Sequence, residues 1–307
     1  MRIFGMGVVA TAFMLMANSV MATTGLADVT SYNAFIFNNA DSQGTVGGAL
    51  AAGGNVTLHN NGINGVSSDG YALVVGGNLT KEWANISGKS WVAGTKSAPQ
   101  YDSYANYAAS GTAAPINFAA AKTDLTALSN TFASTATTGA ATYAYGGVTF
   151  TGSNSAVEYI DLTGSQFSTI NHEIFNTFAA GSTIILNISG LTGGLTNMSL
   201  SAGSNYNLVL NYYEATSLYF NSVSIDATIL APNATITGSN GTITGTVIAN
   251  NWNSSVTLAA GHADFSNLVT TPVPEPSTYA MLLAGLLLVG VAGRRKMALR
   301  KAGINAR

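Results

Sequence analysis

The sequence predicts a mainly β chain, a β-solenoid or β-helix with one flanking amphipathic α-helix. Three observations lead there. A short apolar run broken by Gly or Asn recurs at coil-like spacing, a single central stretch is helical in period instead, and cysteine is absent. Because the repeat spacing is irregular, a β-sandwich built from the same strands is the alternative.

The repeat reads ALAAGGNVTL at Ala49 to Leu58, ALVVGGNLT at Ala72 to Thr80, ATILAPNATI at Ala227 to Ile236 and TVIANNWNSSV at Thr246 to Val256. The Gly-Gly-Asn units starting at Gly53 and Gly76 lie 23 residues apart, and Ile229 and Val247 lie 18 apart. Alternating Val, Leu and Ile supply an inward face, and Gly or Asn a corner where positive φ is cheap. One coil cannot bury its inner face alone. Coils must therefore stack, pairing strands in parallel and aligning Asn or Thr side chains into ladders.

The central helix is expected over Asn117 to Ala136, where Phe118, Ala121, Leu125, Leu128 and Phe132 form a single apolar stripe. Asn117 is its expected N-cap and Gly139 its stop. The stripe must be covered, most simply by lying along the side of the stack on Leu125 and Leu128. Before the helix, Tyr101 to Ala114 reads as a loop. After it, strands are expected at Gly147 to Thr151, Val157 to Leu162, Ser182 to Ile188, Tyr206 to Tyr213 and Ser217 to Ile225.

Both chain ends read as targeting segments. Residues 1–22 combine Arg2, an apolar run and the small-residue site Val20-Met21-Ala22, the pattern of a secretory signal. The main domain is placed at 31–269, followed by a Pro-rich linker at 270–277. A short C-terminal transmembrane sorting helix is expected at 278–293, and a basic tail at 294–307 is expected to stay cytoplasmic by the positive-inside rule. Arg294, Arg295 and Lys296 are the stop-transfer cluster.

Charge separates function classes. Charged residues are 8% of the chain, against about 25% in ordinary globular proteins. Between Thr23 and Pro274 only Lys81, Lys89, Lys96 and Lys122 oppose twelve acids, so the exported part is acidic and a nucleic-acid partner is excluded. Without cysteine, disulfides and thiolate chemistry are excluded as well.

No catalytic, cofactor or metal site is expected. His59, His172 and His262 are scattered, and neither a zincin spacing, a G-x-S-x-G elbow nor a phosphate loop occurs. Glu158 and Asp161 could be read as a carboxylate pair for glycoside hydrolysis, but three positions apart on a strand they face opposite sides. Thr149-Phe150-Thr151, Thr235-Ile236-Thr237 and Thr242-Ile243-Thr244-Gly245-Thr246 each place Thr pairs on one strand face. Such arrays stabilise strands, and could also meet ice or a carbohydrate lattice.

Two resemblances extend this reading. Val273-Pro274-Glu275-Pro276-Ser277, the apolar run Tyr279 to Ala292 and the Arg pair after it, in that order, resemble the PEP-CTERM sorting signal. That resemblance implies an exosortase-type processing enzyme as partner in a Gram-negative bacterium that makes exopolysaccharide. It also implies transient residence in the inner membrane before the cell surface or extracellular space is reached. The main domain is similar to the choice-of-anchor A family through SYNAFIFNNA at Ser31 to Ala40, the Gly-Gly-Asn units, the helix from Phe118, EATSLYF at Glu214 to Phe220, ILAPNATI and GTVIANN. The segment Asn211-Tyr212-Tyr213 departs from that family's aromatic run. This second resemblance implies an adhesive β-helical domain with no catalytic residues. The expected function is a structural or adhesive role at the surface or in an exopolysaccharide matrix, with extracellular polysaccharide as a candidate ligand. A polysaccharide-active enzyme is the alternative and an ice-binding module the second alternative.

Overall fold

The computed structural model describes residues 29–97, 106–261 and 268. The sorting motif Val273 to Ser277, the basic cluster Arg294 to Lys296, the expected membrane segment and the signal all lie outside them. None of the described helices is long and apolar enough to cross a membrane.

The first half of the chain winds as coils. In order come β1 (Tyr32–Ile36), β2 (Ala40–Ser42), β3 (Ala49–Ala52), β4 (Val56–His59), β5 (Gly62–Ile63), β6 (Tyr71–Val75), β7 (Leu79–Glu82), β8 (Asn85–Ile86), β9 (Lys89–Val92), β10 (Lys96–Ser97) and β11 (Asn106–Tyr107). Successive coils pair in parallel in three rows: β1, β3, β6, β9 and β11; β2, β4, β7 and β10; and β5 with β8. β11 corrects the loop expected over Tyr101 to Ala114, since Asn106 and Tyr107 pair with Lys89 and Ser90 as the last rung.

Helix α1 (Phe118–Ser134) follows, its N-cap Asn117 accepting from the Ala120 amide at 3.1 Å. It ends earlier than the expected stop at Gly139, because Thr135 turns to an extended conformation. Next, β12 (Ala140–Ala144) and β13 (Gly147–Thr151) form an antiparallel hairpin. β14 (Val157–Thr163) and the one-turn α2 (Gly164–Phe167) lead to β15 (Glu173–Asn176), which adds to β13 in parallel.

Coils then resume with β16 (Thr183–Ser189), β17 (Thr192–Thr196), β18 (Ser199–Ser201), β19 (Asn207–Asn211), β20 (Ser217–Asp226), β21 (Thr228–Thr244), β22 (Val247–Ser254) and β23 (Thr257–Ala259). The first row reads, along the stack, β14, β16, β19, β21, β22, β1, β3, β6, β9, β11. Phe35 of β1 therefore pairs with Ile248 on one side and Ala51 on the other. The chain starts in the middle, builds to one end, crosses to the far end and builds back until β22 closes on β1. The result is a curled, parallel, mainly β sheet with few helices. An antiparallel sandwich does not form.

The return crossing is made by α1. Its 17 residues span about 25 Å at 1.5 Å per residue, close to the five strand spacings of about 4.8 Å from β3 to β16. Phe118 meets Phe35 at one end with ring centroids 5.6 Å apart. At the other end Asn187 donates to the Phe132 carbonyl at 2.9 Å. Between them Ala121, Leu125, Ser129 and Phe132 are buried against outward residues of the first row, including Ile185, Val209, Leu230, Ile248 and Phe35. Leu128 is only partly buried, so the stripe is centred on Leu125 and Ser129 rather than on Leu125 and Leu128.

The Gly-Gly-Asn corners are set by the stack. Asn39 Oδ1 accepts from the Asn55 amide, Asn55 Oδ1 from Asn78 and Asn78 Oδ1 from Thr95, at 2.8, 2.8 and 2.9 Å. A Cβ on Gly54 or Gly77 would lie 2.5 Å from the Asn39 or Asn55 Oδ1, so the ladder leaves room only for glycine beside it.

Candidate functional site

With the first row under α1, ligand-facing surface must come from the other two rows. In the second row Leu218, Ile236, Trp252, Ala40, Val56 and Leu79 point inward and are buried. Strand alternation then turns the next residue of each strand outward: Tyr219, Thr237, Asn253, Asp41, Thr57 and Thr80, in register along the stack. The third row does the same. Inward Leu200, Ile225, Ile243 and Leu258 leave Ser199, Ser224, Thr242 and Thr257 as an outward column of hydroxyls. β21 feeds both rows, carrying Thr235 and Thr237 on one and, past a bend at Gly238 and Gly241, Thr242 and Thr244 on the other. Thr149 and Thr151 sit instead on the small sheet, paired with Thr142 and Ala140.

Near the β14 end α2 follows the last first-row strand, and an open depression of about 620 Å³ lies beside it, lined by Thr163, Ser165, Ser189, Thr192, Leu191 and Tyr219. Leu191 is 65% exposed and Tyr219 47%, an apolar floor among hydroxyls.

Charge gathers at one place on the second row. His59 Nε2 lies 2.9 Å from Asp41 Oδ1, and its Nδ1 lies 2.6 Å from Glu82 Oε2, so one imidazole links carboxylates of β2 and β7. Slight burial pulls the His59 pKa down. The Glu82 hydrogen bond and the Asp41 charge outweigh it and raise the imidazole above its ordinary value.

The candidate carboxylate pair does not converge. Glu158 is fully buried on the inner side of β14 with Ile160 and Leu162, whereas Asp161 is exposed on the other side and accepts from Asn187 at 3.0 Å. Burial pushes the Glu158 carboxyl up. Donation from the Thr138 hydroxyl and from the Ser155 and Ser153 amides, at 2.8 and 2.7 Å, outweighs it and holds the group below the usual carboxylate range. His172 is exposed before β15, its Nδ1 2.6 Å from Asn171 Oδ1, and His262 lies outside the described residues. Among the described residues no three His, Asp or Glu side chains are placed to hold a metal ion.

Sequence reasoning missed Asp41, Glu82, Trp83 and Tyr219. The signal for two of them was present: the 23-residue repeat that aligns Gly53 with Gly76 also sets His59 against Glu82 and Asn60 against Trp83.

Two family models match the chain. One, described as a Putative Ice-binding-like adhesive domain, covers residues 25–259, and the other, a PEP-CTERM protein-sorting motif, covers residues 272–296. No curated protein and no solved structure matches.

Proposed function

The chain belongs to the Ice-binding-like adhesive domain family and carries a PEP-CTERM motif, and from that premise we propose that it works by contact, as a structural or adhesive component of the cell surface or of an exopolysaccharide matrix. It is an exported surface protein. The single observation that carries the adhesive reading is the division of its faces. Most of the apolar outer face of the first row lies under α1, while the third row offers Ser199, Ser224, Thr242 and Thr257 in register at strand spacing, about 4.8 Å, and the second row Thr237, Thr57 and Thr80 beside Asn253 and Asp41. Water is displaced cheaply from such a surface, and its hydroxyls can bond to a polyhydroxylated polymer.

Export in this reading removes residues 1–22 and frees the domain 31–269. An exosortase-type enzyme then acts at Val273 to Ser277 while residues 278–293 sit in the inner membrane of a Gram-negative cell, held by Arg294, Arg295 and Lys296.

The test is retention of the full chain on immobilised extracellular polysaccharide. Thr57→Lys with Thr80→Lys on the second row, and Thr242→Lys with Thr257→Lys on the third, are each expected to keep the fold. At least one pair is expected to abolish retention. Unchanged retention in both pairs would sink the reading. The same hydroxyl columns favour ice as a second ligand class, for which faceting of growing ice crystals by the chain is the measurement. Release of reducing ends from the polysaccharide would support a hydrolase instead. The opposite orientations of Glu158 and Asp161 argue against that outcome.

A further inference from the structure

Of the three tryptophans, Trp252 is buried and Trp91 is half-buried with its indole donating to the Thr112 carbonyl at 3.0 Å. Trp83 differs from both. It is 70% exposed and sits in the left-handed region, at φ 61°. A bulky aromatic residue adopts that conformation rarely, and nothing is gained here by burying it. The neighbouring coil shows what the turn prefers. His59 pairs with Glu82, the Asn60 amide donates to the Glu82 carbonyl at 2.7 Å, and Asn60 occupies the same turn at φ 45°. Asparagine tolerates this region through its short polar side chain. Trp83 therefore stands where the fold asks for Asn, on the outside, directly after Glu82.

The neighbours on this side are polar. Asp41, His59 and Glu82 form a continuous row across β2, β4 and β7, with side chains 45%, 30% and 52% exposed. Each carboxylate spends one oxygen on the imidazole in the contacts described, which leaves a second oxygen as acceptor. An exposed indole on the residue directly after an exposed acceptor matches a pyranose ring, whose C–H face is apolar and whose rim is made of hydroxyl donors. Two carboxylates against one imidazole disfavour an acidic sugar.

We propose that Trp83, with Asp41, His59 and Glu82, forms a binding site for a neutral pyranose unit of an extracellular glycan. The site rests on the adhesive reading and gives it a ligand class. The indole carries the contact, and the carboxylates orient the ring.

Asn60 supplies the decisive variant, Trp83→Asn, which the turn accommodates without strain. The full chain and this variant are compared on an array of neutral hexose oligosaccharides and uronate oligosaccharides, and by acrylamide quenching of tryptophan fluorescence with the best neutral oligosaccharide present. The expected result is binding of neutral oligosaccharides by the wild type, protection of its exposed tryptophan by that ligand, and at least a tenfold loss of binding in Trp83→Asn at unchanged or higher melting temperature. Glu82→Gln is expected to weaken binding less. Neutral-glycan binding that survives Trp83→Asn within twofold overturns this site and leaves the adhesive reading standing. Binding to uronates alone, or to no oligosaccharide while the chain is still retained on its matrix, also overturns it. Failure of matrix retention itself is the separate result that removes the adhesive reading.

Discussion

The Ser129 hydroxyl donates to Asn211 Oδ1 at 2.6 Å, and Asn211 Nδ2 donates back to the Ser129 carbonyl at 2.9 Å, both buried between α1 and β19. Asn211 also reaches Asn187 Oδ1 at 2.9 Å. Farther along the same register the column continues as Leu230, Ile248 and Phe35, so the helix is seated on polar pairs at one end and on apolar contacts at the other. Asn211→Leu strands the Ser129 hydroxyl and is expected to cost about 2 kcal/mol. Adding Ser129→Ala removes the stranded group, and the double variant should be about 1 kcal/mol more stable than the sum of the singles. Chemical denaturation of the four proteins measures the coupling; strict additivity would mean the pair does not act as a unit.

Leu125→Asp should destabilise the domain by about 3 kcal/mol or more, since a fully buried Leu loses its transfer energy and a carboxylate enters without a partner. Leu128→Asp, at a partly buried position, should cost clearly less. Equal melting temperatures for the two variants would contradict the seating of the helix.

Glu158→Ala leaves the Ser153 and Ser155 amides without their acceptor and is expected to cost about 3 kcal/mol. Because the folded carboxyl is held below its unfolded value, its stabilising contribution is present above the unfolded pKa, near 4.3, and is lost as pH falls through the folded one. The wild type and Glu158→Gln should thus converge in stability on acidification, as followed by denaturation between pH 7 and pH 2.

His59 has the opposite sign. Its folded pKa is raised, so its contribution is fully present below the unfolded value, near 6.5, and is lost as pH rises through the folded value. Proton NMR titration should place the imidazole above its free value in the wild type and return it toward that value in Glu82→Gln. An identical titration in both proteins would break the assigned link.

Replacing Pro274, Glu275 and Pro276 by Ala should trap full-length chain in the inner membrane, and replacing Arg294 and Arg295 by Glu should impair its retention there. Mass spectrometry of the surface form decides: a mature protein still carrying Arg307 would leave a plain anchor in place of processing.

The coil, its glycine corners and its asparagine ladder were legible because they rest on local rules. Gly54 and Gly77 recur at the spacing at which Asn39 and Asn55 must approach them. Helix α1 was legible from its period, and the five strands expected after it lie within two residues of β13, β14, β16, β19 and β20, whereas β12, β15, β17 and β18 were not read. The order of the stack was not. Nothing in a local pattern says that Phe35 will pair with Ile248, because that pairing is decided only when the helix has carried the chain to the far end and the later coils have returned. The seating of α1 was half legible: apolar Leu125 could be read, but Ser129 became a buried contact only because Asn211 stands opposite it. The charged row was half legible likewise: the 23-residue repeat sets His59 against Glu82, but Asp41 joins them from a third coil at another spacing.

β23 closes the last coil beside Val46, which bridges Leu258 on one side and Ile63 on the other, so the last described strand lies amid the length of the stack and not at a tip. Any tether continuing from there grips a crossbar at its waist. A pull entering through β23 would then be shared by coils on both sides instead of peeling them one after another from an end.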